Sequence, residues 1–135
     1  MQLPTALLSK CGKLNKHEHE IVKLHTIYGF KILESVPNER GKFARTVSLF
    51  HHERFDGQGY WGVKSSELPP YVGIVSICDV YVALRSARCY KTAWSKEEAL
   101  AYVQNHAGTQ FCPKLVEIFL SMERNGLDYN YVNSV

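Results

Sequence analysis

The sequence predicts an all-α helical bundle, and three features carry that prediction. Residues 16–36 place Ile21, Leu24, Tyr28, Ile32 and Leu33 at helical spacing. Ser95 is followed three residues later by Glu98, a pairing in which hydroxyl and carboxylate reciprocally satisfy free N–H groups at a helix start. Pro113 opens and Gly126 closes a last helical stretch, matching the known asymmetry of helix ends.

Taken in order, Asn15 is placed to cap the first long helix, Gly29 can divide that helix in two, and Pro37 ends it. A second helix over 42–54 is expected to bury Phe43, Val47 and Phe50 on one face. Asp56-Gly57-Gln58-Gly59-Tyr60 holds too much glycine for a helix interior and reads as a loop. Pro69-Pro70 starts the next element. Over 71–84, the Val, Ile and Tyr content fits a buried strand. The length of that run without a turn residue fits a buried helix, which is preferred. The helix capped by Ser95 is expected to run to about Ala107, with Gly108 as its C-cap. Residues 1–126 are expected to form one domain, with 127–135 as a tail.

Composition narrows the partners. At 135 residues the chain can bury a real core. Sixteen Lys and Arg against thirteen Asp and Glu give a net charge of +3, too weakly basic to indicate a nucleic-acid polymer. A hydrophobic share of 45% with 21% charged residues excludes the disordered classes. Charged residues or histidine interrupt every apolar run before it could span a membrane. Met1-Gln2-Leu3-Pro4 lacks the basic-then-apolar layout of a secretory leader. Cys11, Cys78, Cys89 and Cys112 form no C-x-x-C pair, so zinc-finger and thioredoxin-like readings fail and a reduced, cytoplasmic chain is expected.

Three of six histidines lie where ligands would be useful. His51 and His52 end a helix just before the glycine loop. Adjacent helical residues diverge by about 100°, so the pair suits two neighbouring metals, or one metal and one substrate oxygen, rather than one metal face-on. His25 shares the core-facing side of its helix with Ile21, Tyr28 and Ile32. Asp79 stands inside the apolar run 74–84, where a lone buried carboxylate is costly unless paired or metal-bound. Singly, each has a plain explanation: a packed core histidine, or an aspartate paired with Arg88. Jointly, one acid and three histidines around a glycine loop indicate a metal site, and imidazole with carboxylate suits iron, manganese or zinc. His17, His19 and His106 lie among polar residues and read as solvated surface.

His51-His52-Glu53-Arg54-Phe55-Asp56-Gly57-Gln58-Gly59-Tyr60 resembles the H-H-E-x-x-D-G-x-G-Y-P signature of the HD-GYP family. His25 with Gly29 is similar to that family's H-x-x-x-G helix, and Ile77 to Tyr81 to its A-D-x-Y helix. Arg88-Cys89-Tyr90-Lys91 resembles R-P-Y-K, and Gly108 to Pro113 resembles G-T-x-F-D-P. The resemblance implies an HD-type helical fold, a divalent metal centre (iron or manganese) and hydrolysis of cyclic di-GMP in bacterial signalling. It further implies His25, His51, His52 and Asp79 as metal ligands. Gly59 and Tyr60 would pack on the nucleotide, and Arg88 and Lys91 would contact phosphate and guanine.

The sequence also departs from that family. Its His-Asp pair and following lysine, and the helices that bear them, would precede Pro4, so the chain is expected to be a front-truncated domain, inactive alone, with a partial metal and nucleotide site. Trp61 stands for the proline after Gly-Tyr, Val82 and Cys112 for aspartates, and Ala87 for a polar residue. An alternative is a non-catalytic cyclic di-GMP sensor, or a module docking diguanylate cyclase or response-regulator domains through the Gly-Tyr loop and Trp61. The face carrying His25 and Asp79, left uncovered, makes a homodimer a further expectation.

Overall fold

A computed structural model describes residues 3–10, 12–87 and 92–125 of the chain. It is all-α, as expected: among the described residues there are six α-helices, one short 3-10 turn and no strand. In order they are α1 (Thr5–Leu8), α2 (Lys16–Leu33), α3 (Glu39–Phe50), the 3-10 turn Ser65–Glu67, α4 (Pro70–Arg85), α5 (Lys96–Asn105) and α6 (Pro113–Asn125).

Local chemistry sets most of the boundaries. Asn15 caps α2 by accepting the Glu18 N–H at 2.9 Å, while Glu18 Oε2 accepts the Asn15 N–H at 2.8 Å. Lys10 donates to both Glu18 oxygens and so ties the chain after α1 to the start of α2. α2 runs unbroken through Gly29. The missing side chain there admits Ser48 of α3, whose hydroxyl donates to the Thr26 carbonyl at 3.3 Å. Gly29 therefore serves packing between helices, not a break. Ser95 and Glu98 form the expected capping box on α5. That helix stops at Asn105 with His106 as its cap, and Gly108 (φ 84°) turns the chain two residues later. Gly126, expected to close the last helix, and the expected tail 127–135 lie outside the described residues.

The core lies toward the C-terminal half, where Ile77 of α4 meets Val103 of α5, Phe111, and Val116 and Leu120 of α6. α2 and α3 form a hairpin whose end is fastened by Arg45, which donates to the Leu33 and Val36 carbonyls at 3.1 and 2.7 Å. The buried face expected for α3 needs correction. Phe43 is 45% exposed, laid against Tyr71 of α4 at a centroid distance of 4.2 Å, on a side of α3 away from its main packing against α2. Ile32, placed with His25 on the core side by its spacing, is 70% exposed, near the open end of α2. α4 is helical, as preferred, but one face stays open: Ile74, Cys78 and Val82, four residues apart, are exposed.

Candidate metal centre

Two helices and one loop assemble the site. His25 sits in the middle of α2, His51 is the C-cap of α3, and His52 follows it into a turn. α3 stops at Phe50, and both histidines lie in the turn that follows it. The rings of His51 and His52 lie 4.1 Å apart between centroids, and His25 stands 5.2 and 5.0 Å from them. One ligand nitrogen from each of the three lies within 4.8 Å of the other two. The adjacent pair is thus brought close enough for both rings to reach a common point.

Hydrogen bonds assign the tautomers of two rings. His25 Nδ1 is 2.6 Å from the Val22 carbonyl oxygen, and a carbonyl only accepts, so Nδ1 carries the proton and donates. His51 Nδ1 likewise donates to the Val47 and Ser48 carbonyls, each at 3.0 Å. With Nδ1 the proton-bearing nitrogen of each neutral ring, both Nε2 atoms are acceptors, and they stand 3.2 Å apart. Two acceptors at that distance repel unless a cation or an extra proton stands between them. Backbone carbonyls that fix imidazoles in this way are the usual support for metal-ligating histidine. Ligands about 2.1 Å from one ion would stand roughly 3.0–3.4 Å apart, which brackets the observed separation. The donors therefore fit a divalent cation.

His52 is held neutral. Burial, then the neighbouring His51, His25 and His19, push its pKa from 6.5 down to about 3. The unfolded chain protonates this ring near pH 6.5 and the folded chain does not, so folding stability is full above that pH and falls as pH drops toward 3. Asp56 adds to the loss in a lower window. Its carboxyl is held near 2 rather than 3.8, chiefly by Arg54. Urea midpoints of the metal-free chain should be level between pH 8 and 7 and decline from pH 6 to 4. A midpoint that rises on acidification would contradict a neutral buried His52.

The loop after the histidines is clamped by Glu53, which is only 3% exposed. Its two carboxylate oxygens accept the N–H groups of Trp61 at 2.7 Å and Val63 at 2.8 Å. Arg54 pairs with Asp56 through two bonds, at 3.0 and 2.7 Å, and the Phe55 and Asp56 N–H groups donate to the Gln110 and Thr109 carbonyls. Gly59 passes so close to the backbone of His52, Glu53 and Arg54 that a Cβ would lie 2.5 Å from the Glu53 Cα. This closure lays Tyr60 against His52, with centroids 4.5 Å apart. A cavity of about 310 Å³ opens beside them, lined by His19, Lys23, His52, Tyr60, Ser76 and Val80 among others.

The structure thus gathers His25, His51, His52, Gly59 and Tyr60 in one place. Asp79 does not join the imidazole cluster and is exposed rather than buried, because no described element covers that face of α4. It still borders the site, next to Val80 and three residues from Ser76. Its charge, after burial, helps raise the Tyr60 hydroxyl above its usual value. Trp61 is 40% exposed, its indole donating to the Leu49 carbonyl at 3.2 Å. Arg88 and Lys91 lie outside the described residues. His106 is not open surface: it is half-buried and stacked on Tyr102 at 3.9 Å. Sequence reasoning missed three contributors. Glu53 escapes because its partners are backbone groups eight and ten residues ahead. His19 and Lys23 escape because only the folded loop brings Tyr60 over to α2.

A helical domain that gathers three imidazoles, two with their outer nitrogens fixed by carbonyls, defines an all-α domain with a cluster that could hold a metal. Residues 1–115 match the family described as HD domain, and the chain belongs to that family, in its HD-GYP group. It is 38% identical over 119 residues to the cyclic di-GMP phosphodiesterase response regulator RpfG of Xanthomonas campestris pv. campestris, covering 87% of this chain and 32% of that protein. It is 37% identical over 127 residues to a cyclic di-GMP phosphodiesterase of Thermotoga maritima, covering 93% of this chain and 34% of that one. A 3'3'-cGAMP-specific phosphodiesterase 2 of Vibrio cholerae is 34% identical over 119 residues, 87% of this chain and 23% of that protein. The chain spans about a third or less of the length of these relatives. Among the described residues, no helix is long and apolar enough to cross a membrane.

Proposed function

We propose that this chain holds a divalent cation, iron or manganese, on His25, His51 and His52, and binds a cyclic dinucleotide, cyclic di-GMP first, in the adjoining cleft. The observation that carries this reading is the pair of Nε2 acceptors 3.2 Å apart, each fixed by carbonyls behind it. Asp79 supplies a carboxylate from the rim of α4. Arg88 and Lys91 follow that helix and supply cationic contacts to the ligand. A bound divalent cation polarises phosphoryl oxygens and acidifies water. The chain's own part is to orient the imidazoles, keep His52 neutral, and seat the nucleotide against Gly59 and Tyr60.

These 135 residues contain no His-Asp dipeptide, and the one donor cluster among the described residues is His25, His51 and His52. The chain by itself is therefore read as a binder in a reducing cytoplasm, not a complete hydrolase. Anaerobic loading with Fe²⁺ or Mn²⁺, followed by metal counting and assay with cyclic di-GMP, tests this. The expected result is one metal per chain, nucleotide bound, and no pGpG or GMP formed. Two metals with turnover would overturn the inactivity, and a chain binding neither metal nor nucleotide would overturn the whole reading. The exposed Trp61 favours a second reading, docking of a cyclase or response-regulator domain, for which its fluorescence during titration is the probe.

A further inference from the structure

The cavity beside the imidazole cluster carries charge that the metal reading does not use. Its cations differ in how far they are already satisfied. Arg54 is neutralised by Asp56, to which it donates two bonds. Lys23, two residues before His25 on α2, has Glu20 as its one ion-pair partner among the described residues, at 2.8 Å. The two partners are unequally placed: the Lys23 side chain is only 21% exposed, the Glu20 side chain 66%. The ammonium is drawn inward and stands 5.6 Å from the centre of the Tyr60 ring, the ring that also rests on His52. A half-enclosed cation in a cleft wall, balanced only by a solvent-facing carboxylate, is arranged to exchange that carboxylate for an incoming anion.

We propose that Lys23 is a phosphate-contact residue of this cleft, and that Glu20 holds its ammonium in place until a nucleotide phosphate displaces the carboxylate. The inference rests on the nucleotide reading above and names a residue for it. The cavity, at about 310 Å³, lies at the small end of ligand sites and suits one nucleotide half of a cyclic dinucleotide, its base edge against Tyr60 and His19. Lys23 and His52 both line this cavity beside Tyr60, so a phosphate held by Lys23 lies within the same cleft as the imidazoles.

The test measures cyclic di-GMP affinity of the Mn²⁺-loaded full chain by calorimetry, with Mn²⁺ affinity measured separately. Lys23→Met should weaken nucleotide binding about tenfold or more and flatten its salt dependence, with Mn²⁺ affinity kept within about twofold. Lys23→Arg should retain binding within about threefold, which guards against a mere folding defect. Glu20→Gln should tighten binding about threefold, since the competing carboxylate is gone. Unchanged nucleotide affinity in Lys23→Met, with metal and nucleotide both still bound, would overturn this assignment and leave the proposed function standing. A metal-loaded wild-type chain that binds no nucleotide would overturn both.

Discussion

Replacing Glu53 with alanine is expected to cost about 3 kcal/mol of folding stability, enough to threaten a domain of this size. The carboxylate is 3% exposed and accepts two backbone N–H groups, from Trp61 and Val63. Its removal leaves both donors without a charged acceptor in a place water reaches poorly, and each such orphan costs about 1–3 kcal/mol. The loss also frees the loop that lays Tyr60 on His52. Urea unfolding should show the lower midpoint, and the Trp61 emission of the folded fraction should move toward that of solvated indole. Glu53→Gln is the informative companion. The amide keeps the volume and one acceptor but sets an NH₂ against an N–H, so part of the loss should remain. A midpoint unchanged in both variants would show that the clamp contributes nothing.

His51→Ala is expected to do the opposite: large loss of metal, little loss of fold. His51 is a C-cap residue, half-buried, and its Nε2 stands 3.2 Å from that of His25. Altering groups that merely support a ligand costs about 10–100-fold in metal affinity, so removing a ligand should cost about 100-fold or more. The metal-free variant loses one Nδ1–H donor shared between the Val47 and Ser48 carbonyls at a helix end, so its melting temperature should shift by only a few degrees. Saturating Mn²⁺ should raise the melting temperature of the wild type but not of this variant, because a ligand stabilises only the state that binds it. A variant that still gains stability from Mn²⁺ at wild-type concentrations would remove His51 from the site. The two substitutions separate the roles within His-His-Glu, one residue binding and the other bracing.

Much of the fold was legible because its signals are local. The Asn15 cap, the Ser95–Glu98 box and the Pro113 start act over three or four residues, and each appears where the spacing placed it. Misreadings came where a neighbour decided. Gly29 looks like a breaker until Ser48 occupies the space it leaves. Phe43 and Ile32 look like core until the bundle proves open on their side. Asp79 looks buried for the same reason, since an apolar run states what a helix could cover and not what covers it.

The site divides along the same line. His25, His51 and His52 could be singled out from residue type and order, because a metal needs imidazole donors, whereas Gly59 and Tyr60 stood out through the resemblance of their motif. The sequence alone determined that the chain is all-α, and it named His25, His51 and His52 together with Asp79 as candidate ligands. Tertiary structure decided the rest: that the turn after α3 brings the adjacent histidines together, and that Glu53 closes the loop. It also decided that Lys23 reaches Tyr60 while Asp79 stays at the rim. Those outcomes depend on where helices stop and which backbone groups remain unpaired, quantities set by packing across the chain.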